Sequence, residues 1–193
     1  LKGIINTVKW NEAATDGMGG KRLDPKILQE LINHLDHMDL SNANVPLDIL
    51  GHAYEYLIKR FADEKKRGTV AGQFYTPPEV VELMVRYISP TNGMRVYDPT
   101  CGSGGFLIKA ADYVRETQGE LKGLRLYGQE TIWNTWAIAT MNLLLHGLEG
   151  EIRQGDTIQN PRFKKNESEI DTFDVVLANF PFSVENWAGN GSP

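Results

Sequence analysis

The sequence predicts an α/β fold in which a partial parallel sheet follows a small helical region. After Pro90, patterns typical of strands and helices alternate, which is the order found in parallel sheets with crossover helices. Before about residue 73, apolar residues recur at helical spacing. The predicted strands are residues 95–98, 124–129, about 151–154 and 173–178, and the predicted helices between them are residues 104–118 and 132–146.

Two helices are predicted in the first part of the chain. Asp24 and Pro25 favour a helix start, because Asp is a good N-cap and Pro suits the first helical position. A second helical pattern begins at about Pro46. Residues 65–72 are charged and contain glycine, which predicts a linker. The predicted domains are therefore a helical N-terminal region with its linker, residues 1–72, and an α/β domain, residues 73–193.

A short motif precedes the α/β part. Its residues are Gln73, Phe74, Tyr75, Thr76, Pro77 and Pro78. With Glu79 three residues later, Thr76 begins a capping-box pattern, which predicts a helix with Thr76 as its N-cap. The motif also offers an aromatic ring and backbone amides that could cover a bound ligand. Stapling of the following helix explains the aromatic residues equally well.

Composition indicates a globular protein of the cytoplasm. The 193 residues are 41% hydrophobic and 23% charged, and no apolar run approaches the length of a membrane span. The single cysteine, Cys101, excludes an intrachain disulfide and fits a reducing compartment. The chain begins with Leu1 and has no signal-peptide pattern, so we expect a fragment of a longer cytoplasmic protein.

Charge and histidine content exclude two simple functions. The net charge of −5 excludes a self-sufficient DNA clamp, because contacts to phosphates need a positive surface. If DNA is the substrate, the positive charge must come from partners or from other parts of the protein. His34 and His37 are three residues apart on a predicted helix, but no further Cys or His cluster accompanies them, so no metal site is predicted.

The glycine-rich turn after the first predicted strand is a candidate cofactor site. It consists of Asp98 followed, after three residues, by Gly102, Ser103, Gly104 and Gly105. Glycine lets the backbone approach a ligand closely, and the helix that begins here favours an anionic group. The third glycine of dinucleotide sites is missing, since Leu107 stands there. A smaller carboxylate fits better, and Asp98 supplies negative charge for an amino group.

Two further acids follow predicted strands. Glu130 ends the second strand about 25 residues past the glycines, where an acid can accept hydrogen bonds from ribose hydroxyls. Asp156 follows the third strand and could accept from the amino group of an adenine, although a Gly-Asp pair alone is more often a turn. Because the carboxyl ends of parallel strands share one edge, these acids are expected near Asp98.

The last predicted strand ends in Asn179-Phe180-Pro181-Phe182. An amide, a rigid proline and an aromatic ring suit a flat heterocycle with an exocyclic amine, such as adenine. Together with the glycine turn, this loop predicts transfer of a group to such a base.

These motifs resemble those of the adenine-N6 DNA methyltransferases, and most of all the modification subunits of type I restriction–modification systems. The resemblance runs from about Gln73 to Phe182 and implies a Rossmann-like S-adenosyl-L-methionine-dependent methyltransferase fold, with residues 73–193 as a partial catalytic domain. It implies cofactor contacts at residues 73–78, Ser103, Gly104, Gly105, Glu130 and Asp156, and target-base contacts at Asn179, Phe180, Pro181 and Phe182. The implied partners are double-stranded DNA with a flipped adenine and a separate DNA-specificity subunit, with a restriction subunit left open.

The resemblance implies a mechanism without a covalent nucleophile. The Asn179 side-chain oxygen and the carbonyl of residue 180 would hold the two hydrogens of the adenine amino group, and Phe182 would stack on the extruded base. The family usually has Pro at position 180, and this chain has Phe. We expect the 193-residue fragment to be inactive alone.

Three other functions stay open at this point. A NAD-type oxidoreductase shares the architecture and the acid after the second strand, but the missing third glycine and the Asn-Phe-Pro-Phe loop disfavour it. A protein glutamine methyltransferase uses a related loop. An assembly scaffold that binds cofactor without catalysis is the third alternative, which the Phe180 variation keeps open.

Overall fold

The computed structural model describes residues 25–39, 44–45, 47–65 and 76–180. Contacts divide the chain into two compact units, residues 1–46 and residues 47–193. In the first unit, helix α1 (Pro25–Asp36) begins at the predicted proline, and the predicted cap Asp24 lies outside the described residues. His34 and His37 are both exposed. No helix among the described residues is long and apolar enough to cross a membrane.

The second unit confirms the predicted alternation of strands and helices. Its elements, in chain order, are α2 (Leu47–Lys65), α3 (Pro78–Ile88), β1 (Arg95–Asp98), α4 (Gly105–Gln118), β2 (Arg125–Glu130), α5 (Trp133–Leu145), β3 (Gly150–Gln154) and β4 (Val175–Val176). The last strand was predicted at residues 173–178, and only Val175 and Val176 of this range form a regular strand. The remaining element bounds lie within one or two residues of the predicted ones.

Helix α2 belongs to the unit that contains the sheet. It packs on α5, and a Cβ atom added at Gly51 would lie 2.7 Å from the ring of His146, the C-cap of α5. The contacts therefore divide the chain at residues 46/47, whereas the sequence-based division lies at 72/73. The latter stays a prediction.

The sheet is parallel, with strand order β3-β2-β1-β4. Val96 of β1 pairs with Val175 of β4. Strands β2 and β3 follow β1 on one side of the sheet, and β4 then pairs with β1 on its other side. The strand order therefore reverses between β1 and β4. In sheets of this kind ligands bind at such a switch point, beyond the carboxyl ends of the strands.

One apolar core joins the sheet to helices α3, α4 and α5. Val96, Leu126 and Val175 lie on one sheet face and pack with Leu107 and Leu143 of the helices. Burying these side chains fixes α4 against β1, at about 25 cal/mol for each square ångström of apolar surface removed from water. The core therefore holds the turn between β1 and α4 in place.

The opposite sheet face carries aromatic rings. Tyr97 and Tyr127 are neighbours in the register of β1 and β2 and contact Phe163 and Phe173 from the segment before β4. The Arg95 guanidinium lies 4.8 Å from the centre of the Phe173 ring. These contacts anchor the long β3–β4 connection, which brings β4 back beside β1.

The predicted N-cap role of Thr76 is wrong. The N-cap of α3 is Pro77, and no side chain caps the helix. The Thr76 hydroxyl instead accepts a hydrogen bond from the Asn179 amide nitrogen at 2.9 Å. Pro78 lies at the first position of α3, where its missing N–H costs nothing. The helix therefore begins without a capping side chain, and Thr76 is available for a contact 103 residues away along the chain.

Candidate active site

A cavity of about 830 Å³ is lined by the segments that follow all four strands. It brings together ten of the residues singled out in the sequence: Thr76, Pro78, Asp98, Gly102, Ser103, Gly105, Glu130, Asp156, Asn179 and Phe180. Pro77 and Gly104 are described but are not among the lining residues. The other predicted contacts, at Gln73, Phe74, Tyr75, Pro181 and Phe182, lie outside the described residues.

The glycine turn has a backbone conformation that favours glycine. Gly102 and Gly104 have φ values of 54° and 86°, and Gly104 is the N-cap of α4. A Cβ atom added at Gly104 would lie 2.9 Å from the Leu143 side chain, so the turn sits close against α5. A Cβ atom added at Gly105 would meet nothing within 4 Å. Gly105 therefore leaves open space on the cavity wall, into which a ligand can fit closely.

Asp98 is buried at the end of β1, with 1% of its surface exposed. Burial raises the pKa of its carboxyl group to about 7; a hydrogen bond from the Thr100 amide opposes the shift, and the nearby Glu130 adds to it. Near neutral pH this group is therefore poised between its neutral and charged forms. A cation in the cavity would favour the charged form.

Glu130 ties the end of β2 to the glycine turn. Its Oε2 accepts a hydrogen bond from the Gly102 amide at 3.0 Å, and its Oε1 accepts from the Ile132 amide at 2.9 Å. Burial raises its pKa, and hydrogen bonds from the backbone amides of Ile132, Gly102 and Thr131 oppose that shift. Each carboxylate oxygen has a second lone pair, so Glu130 can still accept from hydroxyls in the cavity.

Asp156 lies in a turn and also lines the cavity. Its Oδ1 accepts hydrogen bonds from the Ile158 and Gln159 amides, both at 2.8 Å, which stabilises a turn after β3. The same residue lines the cavity. The turn therefore fixes the carboxylate at the cavity wall, where it can accept from an amino group.

Asn179, three residues after β4, is held from two sides. Its amide nitrogen donates to the Thr76 hydroxyl at 2.9 Å, and its backbone carbonyl accepts from the Thr100 hydroxyl at 3.2 Å. Among the described residues, the amide nitrogen makes the only hydrogen bond of this side chain. Its Oδ1 is therefore an acceptor that a substrate can use.

Other cavity residues were not singled out in the sequence, and four of them bear on the geometry of the site. Thr100 holds the Asn179 carbonyl, and the Asn142 amide nitrogen donates to the Ser103 carbonyl at 3.0 Å. Ile132 and Ile158 place apolar surface at the ends of β2 and β3, and Ile158 is 58% exposed. A signal existed for three of them: Asn142 interrupts an apolar helix, and each isoleucine follows a candidate acid by two residues.

The motifs of this cavity are those of a known family. The sequence model described as N-6 DNA methylase matches residues 46–192, which is most of the chain. The chain belongs to the N-6 DNA methylase family. The resemblance that the motifs indicated is thereby confirmed.

Curated relatives of this N-6 DNA methylase are methylase subunits of type I restriction enzymes. The chain is 35% identical to the HindI methylase subunit of Haemophilus influenzae, over 72% of this chain and 30% of that protein. It is 32% identical to the MjaIX methylase subunit of Methanocaldococcus jannaschii, over 87% of this chain and 29% of that protein. The chain thus spans about a third or less of the length of these relatives.

Solved structures agree with this family assignment. The type I restriction–modification methyltransferase subunit from Streptococcus thermophilus matches with a TM-score of 0.71 at 29% identity, over 93% of this chain and 36% of that chain. A class I S-adenosylmethionine-dependent methyltransferase from Listeria monocytogenes, described as putative, matches with a TM-score of 0.55 at 14% identity, over 72% of this chain and 42% of that chain. The second match shows the fold alone, which is the predicted methyltransferase fold.

Proposed function

We propose that the protein to which this chain belongs is a site-specific adenine-N6 DNA methyltransferase, which moves a methyl group from S-adenosyl-L-methionine to adenine in DNA. It acts as the modification subunit of a type I restriction–modification system. One observation carries the proposal: the Asn179 loop and the glycine turn line the same cavity, so an acceptor pair for an amino group lies beside a cofactor-type turn.

The side chains that line the cavity fit S-adenosyl-L-methionine. When bound, this cofactor supplies a methyl group attached to a sulfonium. Asp98 suits the amino group, and Gly105 leaves room for close approach of the amino-acid part. Glu130 can accept from the ribose hydroxyls, and Asp156 can accept from the amino group of the cofactor's adenine. Ile132 and Ile158 give apolar surface for its ring. The contacts proposed for residues 73–78 add a cover to this site.

The raised pKa of Asp98 predicts a pH-dependent cofactor affinity. Binding of a cationic amino group requires the charged carboxylate, so the affinity for S-adenosylhomocysteine should rise as pH increases through about 7. Titration calorimetry from pH 6 to 8, in buffers of different ionisation enthalpy, should detect proton release on binding. Asp98→Asn should weaken binding and flatten this profile; an unchanged profile would contradict the role given to Asp98.

The raised pKa of Asp98 also makes the free energy of unfolding depend on pH. The folded-state pKa of Asp98 lies above the ordinary value of 3.8, so the folded state binds the extra proton between pH 3.8 and about 7. The contribution of Asp98 to folding therefore becomes less favourable as pH rises through this window, and the loss is complete above it. Asp98→Asn should remove that part of the pH dependence of unfolding.

The N6 amino nitrogen of adenine is a poor nucleophile, because its lone pair is delocalised into the ring. The Asn179 Oδ1 and the carbonyl of Phe180 can accept its two hydrogens, which directs the lone pair towards the methyl group. Such orientation contributes on the order of several kcal/mol to lowering a barrier. The base must first leave the duplex, and Phe182 offers a ring on which it stacks.

Partners are proposed from the relatives and from charge. A structure concerned with complex assembly of the type I system matches with a TM-score of 0.65 at 27% identity. The net charge of −5 leaves most phosphate contacts to other positive surfaces. We therefore assign DNA reading to a separate specificity subunit, with a restriction subunit as a further partner. All of these would act in the cytoplasm.

The test is transfer of a labelled methyl group. The full-length chain with its partner subunits should move label from S-adenosyl-L-methionine to plasmid DNA prepared from a strain without the gene. Digestion to nucleosides should place the label on N6-methyladenine. Label on protein glutamine would favour the glutamine methyltransferase, and cofactor binding without any transfer would favour the assembly scaffold.

A further inference from the structure

The hydrogen bond between Asn179 and Thr76 has a consequence for the proposed reaction. An asparagine amide presents two chemically different ends, and only Oδ1 can accept a hydrogen from an adenine amino group. If the amide turned by 180°, its own N–H groups would face the amino hydrogens. Productive binding therefore depends on which end of the amide faces the cavity.

Thr76 binds the nitrogen end of the amide. Its hydroxyl lies 2.9 Å from the Asn179 amide nitrogen and accepts a hydrogen bond from it. Thr76 is half-buried just before α3, and Asn179 is half-buried just after β4. The Asn179 backbone is fixed separately, by the hydrogen bond from the Thr100 hydroxyl to its carbonyl. In this arrangement the backbone is held and Nδ2 donates to Thr76, so Oδ1 lies at the other end of the amide.

We propose that Thr76 is a positioning residue for methyl transfer, which orients the Asn179 amide so that Oδ1 accepts from the target amino group. This inference rests on the proposed function. It differs from the cofactor contact that the sequence motif implies for Thr76. A contact to cofactor would act on cofactor affinity, whereas positioning of Asn179 acts on the rate of the transfer step.

The experiment compares Thr76→Val, which has a similar shape but lacks the hydroxyl, with Thr76→Ser, which keeps it. In the full-length chain with its subunits, Thr76→Val should lower kcat for DNA methylation on the order of 10- to 100-fold. Its Kd for S-adenosylhomocysteine, measured by calorimetry, should stay within about twofold of wild type. Thr76→Ser should restore most of the rate. Thr117→Val, the same change at an exposed helix position, is the control for the substitution itself.

A double-mutant cycle with Asn179→Asp separates orientation from other effects. Both side-chain oxygens of an aspartate are acceptors, so neither end needs to be selected. Thr76→Val should therefore cost much less in the Asn179→Asp background than in wild type. If Thr76→Val lowers the melting temperature, the same cycle is measured with Thr76→Ala, which also lacks the hydroxyl.

Two results would overturn the inference. One is a rise in the Kd for S-adenosylhomocysteine that matches the loss of rate and is equal in both backgrounds, which would make Thr76 a cofactor contact. The other is an unchanged kcat in Thr76→Val. A wild-type protein that methylates no adenine would instead contradict the proposed function.

Discussion

Replacing Asn179 by alanine is expected to lower the rate of methyl transfer to adenine by about 10²–10³-fold, the usual effect of removing one preorganised hydrogen-bonding group. The variant lacks Oδ1, so the target nitrogen keeps one acceptor instead of two. The Thr100 hydrogen bond to the residue 179 carbonyl does not depend on the side chain and should remain. Steady-state transfer of labelled methyl to DNA measures the loss.

Cofactor affinity provides the control for this variant. None of the contacts proposed for the cofactor, at Asp98, Gly105, Glu130, Asp156, the two isoleucines and the cover of residues 73–78, is made by the Asn179 side chain. The Kd for S-adenosylhomocysteine should therefore change by less than about threefold, or roughly 0.7 kcal/mol. A parallel loss of cofactor binding and transfer would show that Asn179 supports the structure of the cavity. In that case its role as an acceptor would have to be abandoned.

The second large effect is expected in the glycine turn, where Gly104 and Gly105 should respond differently to alanine. Gly104 has a φ of 86°, a left-handed conformation that costs an alanine about 1–2 kcal/mol. The added Cβ would also press on the end of the Leu143 side chain. Gly104→Ala should therefore lower the free energy of unfolding by about 1–2 kcal/mol in denaturant titrations.

Gly105→Ala is the matched variant. Gly105 is the first residue of α4, and a Cβ atom there meets nothing in the protein within 4 Å. Stability should be unchanged or should rise by up to about 1 kcal/mol, because alanine favours helices. The same Cβ would occupy ligand space, so affinity for S-adenosylhomocysteine should fall about tenfold or more, or about 1.4 kcal/mol. Equal effects of the two variants on stability and affinity would contradict this assignment.

Local pattern was sufficient for the elements of the α/β unit and for much of the cavity. Hydrophobic periodicity marked the strands and helices, and parallel strands bring their carboxyl ends to one edge. Asp98, Glu130, Asp156 and Asn179 could therefore be assigned to one place before their contacts were known.

Long-range partners were beyond the reach of local pattern. The spacing around Thr76 predicts that its hydroxyl caps α3, but in the structure this hydroxyl accepts a hydrogen bond from Asn179, 103 residues later. Only the fold decides between these two partners. Asn142 is a polar residue in an apolar helix, and periodicity alone does not reveal that it donates to the Ser103 carbonyl. The backbone amides that bind both Glu130 oxygens are equally invisible, because every residue has one.

The most direct measurement is a structure of the full complex with S-adenosylhomocysteine and a duplex that contains the target adenine. The extruded adenine should place its N6 atom about 3 Å from both the Asn179 Oδ1 and the Phe180 carbonyl oxygen, the normal length of such hydrogen bonds. Its N6 atom should also face the cofactor sulfur across the cavity. An adenine that remains in the duplex, or two acceptor oxygens directed away from the cavity, would contradict the account.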